Sequence, residues 1–189
     1  MMDKKLFYGL LFLAAIGFTA GSFFEIYITG DGKDQLMELL TGWFSAADSP
    51  FSFSRNFLQN FCSGLFFLLL CFLSARLPFL LIFCITLIFV QSLLYGVSAS
   101  LLLETFGPAK GILYTAATVA PGALLRTLLI ACFAVQAMQS WLPPIRSGKT
   151  SRRKALRVLT GPDVTYYAAG LAALFFISLL QAVLQQAVI

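Results

Sequence analysis

Histidine is absent from this sequence, and charged side chains make up only 11% of it. The first absence removes the commonest general base, the serine–histidine pairing of many hydrolases and every histidine-based metal site. The second removes the polar surface of a solvated globule, since 59% of the residues are hydrophobic and the mean hydropathy is +0.88. Cysteine is sparse as well: Cys62, Cys71, Cys84 and Cys132 lie in apolar runs at no paired metal spacing and read as small packing residues. The carboxylates Glu25, Asp31, Asp34, Glu38 and Asp48 gather in one stretch and read as a solvated connector, not a catalytic pair. Gly148-Lys-Thr150 mimics the end of a phosphate-binding loop, but Pro143 stands where that motif needs its first glycine and no strand precedes it. No enzyme activity, metal or cofactor is therefore expected, and any nucleotide hydrolysis has to come from a partner.

What the chain has instead is long apolar sequence. Leu6–Phe24, Phe57–Ala75, Leu77–Leu103 and Val164–Ile189 contain no charged residue, and Gly111–Leu142 contains only Arg126. A bilayer core about 30 Å thick is crossed by roughly 20 such residues in a helix. Backbone polar groups in lipid must be bonded internally, which excludes open sheets. The expectation is an all-α polytopic bundle in one domain, residues 1–189, with about five transmembrane helices near 6–28, 57–75, 77–103, 121–142 and 164–187. The first run is longer than a typical signal h-region and is expected to stay as an anchor. With the N-terminus inside, the inner face collects Lys4, Lys5, Arg76 and the cluster Arg146, Lys149, Arg152, Arg153, Lys154 and Arg157, whereas the outer connectors keep Lys33, Arg55 and Lys110. That imbalance predicts N-inside, C-outside, and makes the net charge of +5 a topology signal and not a sign of nucleic-acid binding.

Between the first two spans, Leu36, Leu39, Leu40, Trp43, Phe44 and Ala47 recur at three- and four-residue intervals and predict an outer amphipathic helix with Trp43 at the headgroup level. Gly17 and Gly21, and Gly96 with Ser100, have the spacing that lets helix backbones approach, within the bundle or between copies. The run from Leu77 meets its first breaker at Gly107-Pro108, and a turn is expected there. Beyond it, Pro121 removes a helix hydrogen bond, so a kink or break is expected, with 111–120 as a half-helix or re-entrant piece. Arg126 then sits within a span, either snorkelling to the outer headgroups or paired in the bundle. Glu104 is the nearest candidate counter-ion, with Asp48 and Glu25 as others.

The inner loop 143–163 carries Arg152, Arg153 and Lys154 in a basic run that suits anionic lipid, topology or the docking of a cytoplasmic ATPase. Gly96-Val-Ser-Ala-Ser100, then Gly107-Pro-Ala-Lys110-Gly111, then Ala120-Pro121 resemble the core of the stage II sporulation protein M family of bacterial membrane proteins. The likeness extends over most of 54–138, with Gln91-Ser92, Ser100 and Gly122-Ala123 departing from its usual pattern. The resemblance implies five spans in a bacterial cytoplasmic membrane. It also implies a non-catalytic scaffold that organises peptidoglycan-remodelling or other cell-envelope partners. The alternative is the permease-like membrane subunit of an ATP-driven exporter, with substrate passing beside Pro121 and Arg126 and a separate ATPase chain.

Overall fold

The computed structural model describes residues 3–27, 32–35, 37–38, 53–75, 77, 79–141 and 162–188, and these are almost entirely helical with no strand among them. The helices are α1 Lys4–Tyr27, α2 Phe53–Ser74, α3 Phe79–Tyr114, α4 Thr127–Trp141 and α5 Pro162–Val188. Two π-helical turns, Thr115–Val119 and Gly122–Arg126, join α3 to α4. Four helical runs are long and apolar enough to cross a membrane: Lys4–Phe24, Phe53–Ser74, Phe79–Gln139 and Thr165–Gln186. Asp3 starts α1, its carboxylate accepting the Lys5 N–H at 2.9 Å, a first-turn donor that the helix itself leaves unbonded.

The third run has 61 residues, which as a straight rod would reach about 90 Å, three times the hydrocarbon core. It folds back on itself instead. Gly107 has φ 76° and ψ 171°, a conformation open essentially only to glycine, and Pro108 follows at the start of the returning limb, where its missing N–H costs nothing. Past this hairpin, Phe106 and Tyr114 stack edge to face at 4.8 Å, Gly111 lies against the backbone of Leu102 and Leu103, and Gly122 lies against the ring of Tyr95. The contacts pair later residues with progressively earlier ones, as in two antiparallel limbs.

The break expected at Pro121 takes a different form. Tyr114, Ala120, Pro121 and Thr127 all keep right-handed helical angles, and the Ala120 N–H bonds to the Thr115 carbonyl five residues back. Widening the helix on either side of Pro121 absorbs the missing donor and the ring that would otherwise strike the preceding turn. Residues 111–120 thus run on into α4 without a turn.

α1 runs parallel to the first limb of α3, because Gly17 meets Phe89 and Gly21 meets Leu93 at a constant offset. Gly21 and Gly96 let the two backbones touch: a methyl group at Gly96 would collide with the Phe18 carbonyl and one at Gly21 with the Leu93 carbonyl. Ser22 Oγ donates to Gly96 O at 3.5 Å and Ser100 Oγ to Ser22 O at 3.3 Å. The small-residue faces are therefore occupied inside the bundle. α2 and α5 run antiparallel, joined by Phe72 with Tyr167 at 4.9 Å near one end and Phe57 with Phe175 at 5.2 Å towards the other.

α4 occupies the middle, against α1, α2, α3 and α5. Its Ala131, Ala134, Val135 and Ala137 are fully buried, and a helix apolar all round belongs in a core. The outer faces carry Phe12, Ile82 and Phe176, each about two-thirds exposed. In water such faces would drive association; in a bilayer they are ordinary lipid contact.

Candidate functional site: a buried polar centre

Arg126 ends the second π-helical turn with 4% of its surface exposed. Among the described residues no carboxylate pairs with it. Its Nη2 donates to the backbone carbonyl of Asn60 on α2, and its Nε, also buried, has no partner. Asn60 lies seven residues into α2, about 10 Å below Phe53, so the guanidinium is held within the bundle and not at its rim.

Glu104 does not fill the role of counter-ion. Its carboxylate pairs with Lys33 Nζ at 2.8 Å. The hairpin explains why: Gly111 packs at the level of Leu103, and Arg126 is fifteen residues further down the returning limb, about 22 Å away along its axis. An arginine side chain spans only a fraction of that.

Three elements bring uncharged polar groups into the bundle interior, linked in part to the Asn60 that Arg126 contacts. α2 gives Asn56 and Asn60, one turn apart, with Asn56 buried. α5 gives Ser178, Gln181 and Gln185, all buried on one helical row. The return limb gives Thr118, whose backbone carbonyl accepts from Gln181 Nε2 at 3.0 Å. Asn60 Nδ2 donates to Gln185 Oε1 at 3.5 Å, linking α2 to α5 beside the carbonyl that Arg126 uses. Ser178 Oγ and Gln181 Oε1 are buried without partners. Burying a guanidinium within a span costs about 2.5–3.5 kcal/mol on insertion scales, and amides offset part of this as acceptors but bring no opposite charge.

These polar residues were not singled out in the sequence, where the spans were read by their lack of charge. The signal was present as spacing: Asn56 and Asn60 at i, i+4, and Ser178, Gln181 and Gln185 at i, i+3, i+7. Such rows in an apolar run place uncharged polar groups on one face, pointing at a neighbour.

The other selected residues fall into structural places. Gly96 is at the α1–α3 contact, Gly107 forms the hairpin, Gly111 allows its limbs to touch, and Pro121 is buried between the π-helical turns. Trp43, Arg152, Arg153 and Lys154 lie outside the described residues, as does most of the expected outer amphipathic helix. Cys71 and Cys84, expected only to pack, meet with their Sγ atoms 3.7 Å apart, and Cys84 Sγ contacts Ser74 Oγ at 3.8 Å.

On the opposite side of the return limb is a second feature, a cavity of about 550 Å³ between α1, α3 and residues 115–128. Ala14, Phe18, Tyr95, Thr115, Thr127 and Leu128 are among its walls. The Thr115 and Thr127 hydroxyls are buried there without partners, while the Tyr95 hydroxyl accepts from Gln91 Nε2 at 2.8 Å. Thr19 and Ser92 also line it, and the remaining walls are hydrocarbon, a surface suited to a lipid acyl chain.

No protein-family model, curated protein or solved structure matches the chain.

Proposed function

We propose that this protein is a non-catalytic membrane subunit crossing a bacterial cytoplasmic membrane five times, N-terminus inside and C-terminus outside, and that it serves a transport system whose energy comes from a separate ATPase chain. The count of five is supported by the helix directions: α1 and the first limb of α3 run one way, α2 lies between them in sequence, the hairpin at Gly107 sends the return limb and α4 back, and α5 opposes α2. The return limb, residues 108–141, exceeds the hydrocarbon thickness at about 50 Å, so its first turns project with Lys110 towards the outer side. The orientation draws on the distribution of Lys and Arg.

The observation that carries the transport reading is the desolvated Arg126 beside two π-helical turns in the bundle interior. An ionisable residue within a span marks a substrate or ion pathway by default, and π-helical turns recur at functional sites. A scaffold acting through its lipid- and water-facing surfaces needs no buried cation. The cell-envelope scaffold reading rests on the residue resemblance over 54–138 and is the second choice.

Two measurements test the proposal. Labelling of single cysteines placed at each terminus of a variant lacking Cys62, Cys71, Cys84 and Cys132 should find the termini on opposite sides; the same side would exclude an odd number of crossings. Mild-detergent purification from the native host should recover a stoichiometric ATPase, whereas recovery of peptidoglycan hydrolases in its place would move the assignment to the scaffold.

A further inference from the structure

We infer that the Arg126 centre is an anion-binding site, taking a single phosphate or carboxylate group in the bundle interior. This rests on the transport reading only for the expectation that something polar enters the interior; the chemistry is independent of any ATPase.

The argument begins with charge. Arg126 is 4% exposed and its bonded partner among the described residues is the neutral Asn60 carbonyl. Among the described residues no carboxylate contacts it, the acid nearest in sequence being occupied by Lys33. A guanidinium has five N–H donors and does not lose its proton in proteins, so neutralising the site by deprotonation is closed to it. An uncompensated charge in a desolvated setting is destabilising by several kcal/mol, and breaking or lacking its partner is the expensive arrangement. Among the described residues the centre is therefore electrostatically incomplete.

The groups around the guanidinium define what would complete it. Arg126 Nε is buried and unpartnered, leaving the in-plane donor edge that bidentate recognition of carboxylate and phosphate uses. Ser178 Oγ on α5 is likewise buried with no partner, a second unmet donor of the bundle interior. α2 has no acid from Phe53 to Ser74, and α5 has none from Thr165 to Val188, its one acid, Asp163, standing in its first turn. A cation would meet repulsion from Arg126, and a purely apolar ligand would leave Nε unbonded. A single oxyanion removes both deficits.

The same chemistry has two sources, the headgroup of an anionic phospholipid and a free anion. Both are tested on the purified full chain by equilibrium unfolding in detergent. One arm compares phosphatidylglycerol with phosphatidylcholine; the other replaces chloride by inorganic phosphate at constant ionic strength. A probe at one hundred times its Kd shifts the unfolding equilibrium about 100-fold. Stabilisation by phosphatidylglycerol alone assigns a lipid headgroup, and stabilisation by phosphate assigns a free anion. The response must disappear in Arg126→Gln and persist when Arg152, Arg153 and Lys154 are replaced together by Gln.

A second variant guards against simple misfolding of Arg126→Gln. Asn60→Asp puts a carboxylate on the residue whose backbone carbonyl Arg126 bonds and whose side chain now meets Gln185; turned to the guanidinium it should make the variant more stable than the parent without added anion and unresponsive to either probe. An unchanged anion response in Asn60→Asp or Arg126→Gln, or no response in the parent, overturns the inference. None of these outcomes depends on whether an ATPase co-purifies, so failure of the binding site and failure of the transport reading are read separately.

Discussion

Replacing Gly96 by alanine adds one methyl group at a point where the α1 and α3 backbones already touch. The new Cβ would collide with the Phe18 carbonyl oxygen and stand 2.8 Å from the Ser22 nitrogen. Those are backbone atoms of a helix, which no rotamer change can move, so α1 must withdraw or tilt. Overpacking of this kind costs about 1–3 kcal/mol. Withdrawal also stretches the Ser22 to Gly96 and Ser100 to Ser22 hydrogen bonds, already at 3.5 and 3.3 Å, and interhelical bonds in membranes average about 0.6 kcal/mol each. The expected loss is about 2–4 kcal/mol. Gly9 is the matched control, with nothing within 4 Å of its Cβ position; there alanine should be neutral or slightly stabilising, as expected from its helix propensity. The assay is reversible unfolding in mixed micelles titrated with denaturing detergent. Gly21→Ala should resemble Gly96→Ala, since its Cβ would collide with the Leu93 carbonyl. The double variant should lose less than the sum, because one separation of the helices relieves both collisions. Equal stability of Gly96→Ala and Gly9→Ala would refute the close parallel packing of α1 on α3.

Gly107→Ala tests the hairpin by backbone strain alone, since nothing lies within 4 Å of the added methyl and φ is 76°; a loss of about 1–3 kcal/mol in the same unfolding assay is expected, and no loss would mean a different turn. Glu104→Gln removes one partner of the Lys33 pair, whose side chains are 25% and 42% exposed on the lysine and glutamate; it should change stability by less than about 1 kcal/mol, and a much larger loss would place that pair in a less solvated setting. A membrane-permeant oxidant should close a disulfide between Cys71 and Cys84, the two thiols giving up two protons and two electrons to it, because their sulfurs are 3.7 Å apart. Loss of maleimide labelling at both positions after denaturation, restored by reduction, is the readout; persistent labelling of both would separate the two helices at this end.

The transmembrane character was legible because it depends on local composition: runs such as Leu6–Phe24 and Leu77–Leu103 are apolar over the length of a bilayer whatever surrounds them. The hairpin at Gly107-Pro108 was legible for the same reason, since glycine and proline act on their own backbone. Pro121 marks the limit of such reasoning. The sequence predicts a lost hydrogen bond there, but how the chain recovers depends on what packs around it, and π-helical widening keeps the limb continuous.

The polar centre shows the limit most clearly. That Arg126 is the single charge in its run is plain from the sequence, but Glu104, the acid nearest to it by expected depth, is not its partner. Chain order is a poor guide once a hairpin reverses direction, because Glu104 and Arg126 then separate along the axis while Asn60, 66 residues away in sequence, comes into contact. By itself the sequence determined that this chain is helical, membrane-compatible and poor in the usual catalytic groups, since those follow from residue types and their period. Only the tertiary structure decided which polar side chains share an interior, and that a buried guanidinium bonds a backbone carbonyl with no carboxylate on it among the described residues, because helix packing, and not composition, sets which faces meet.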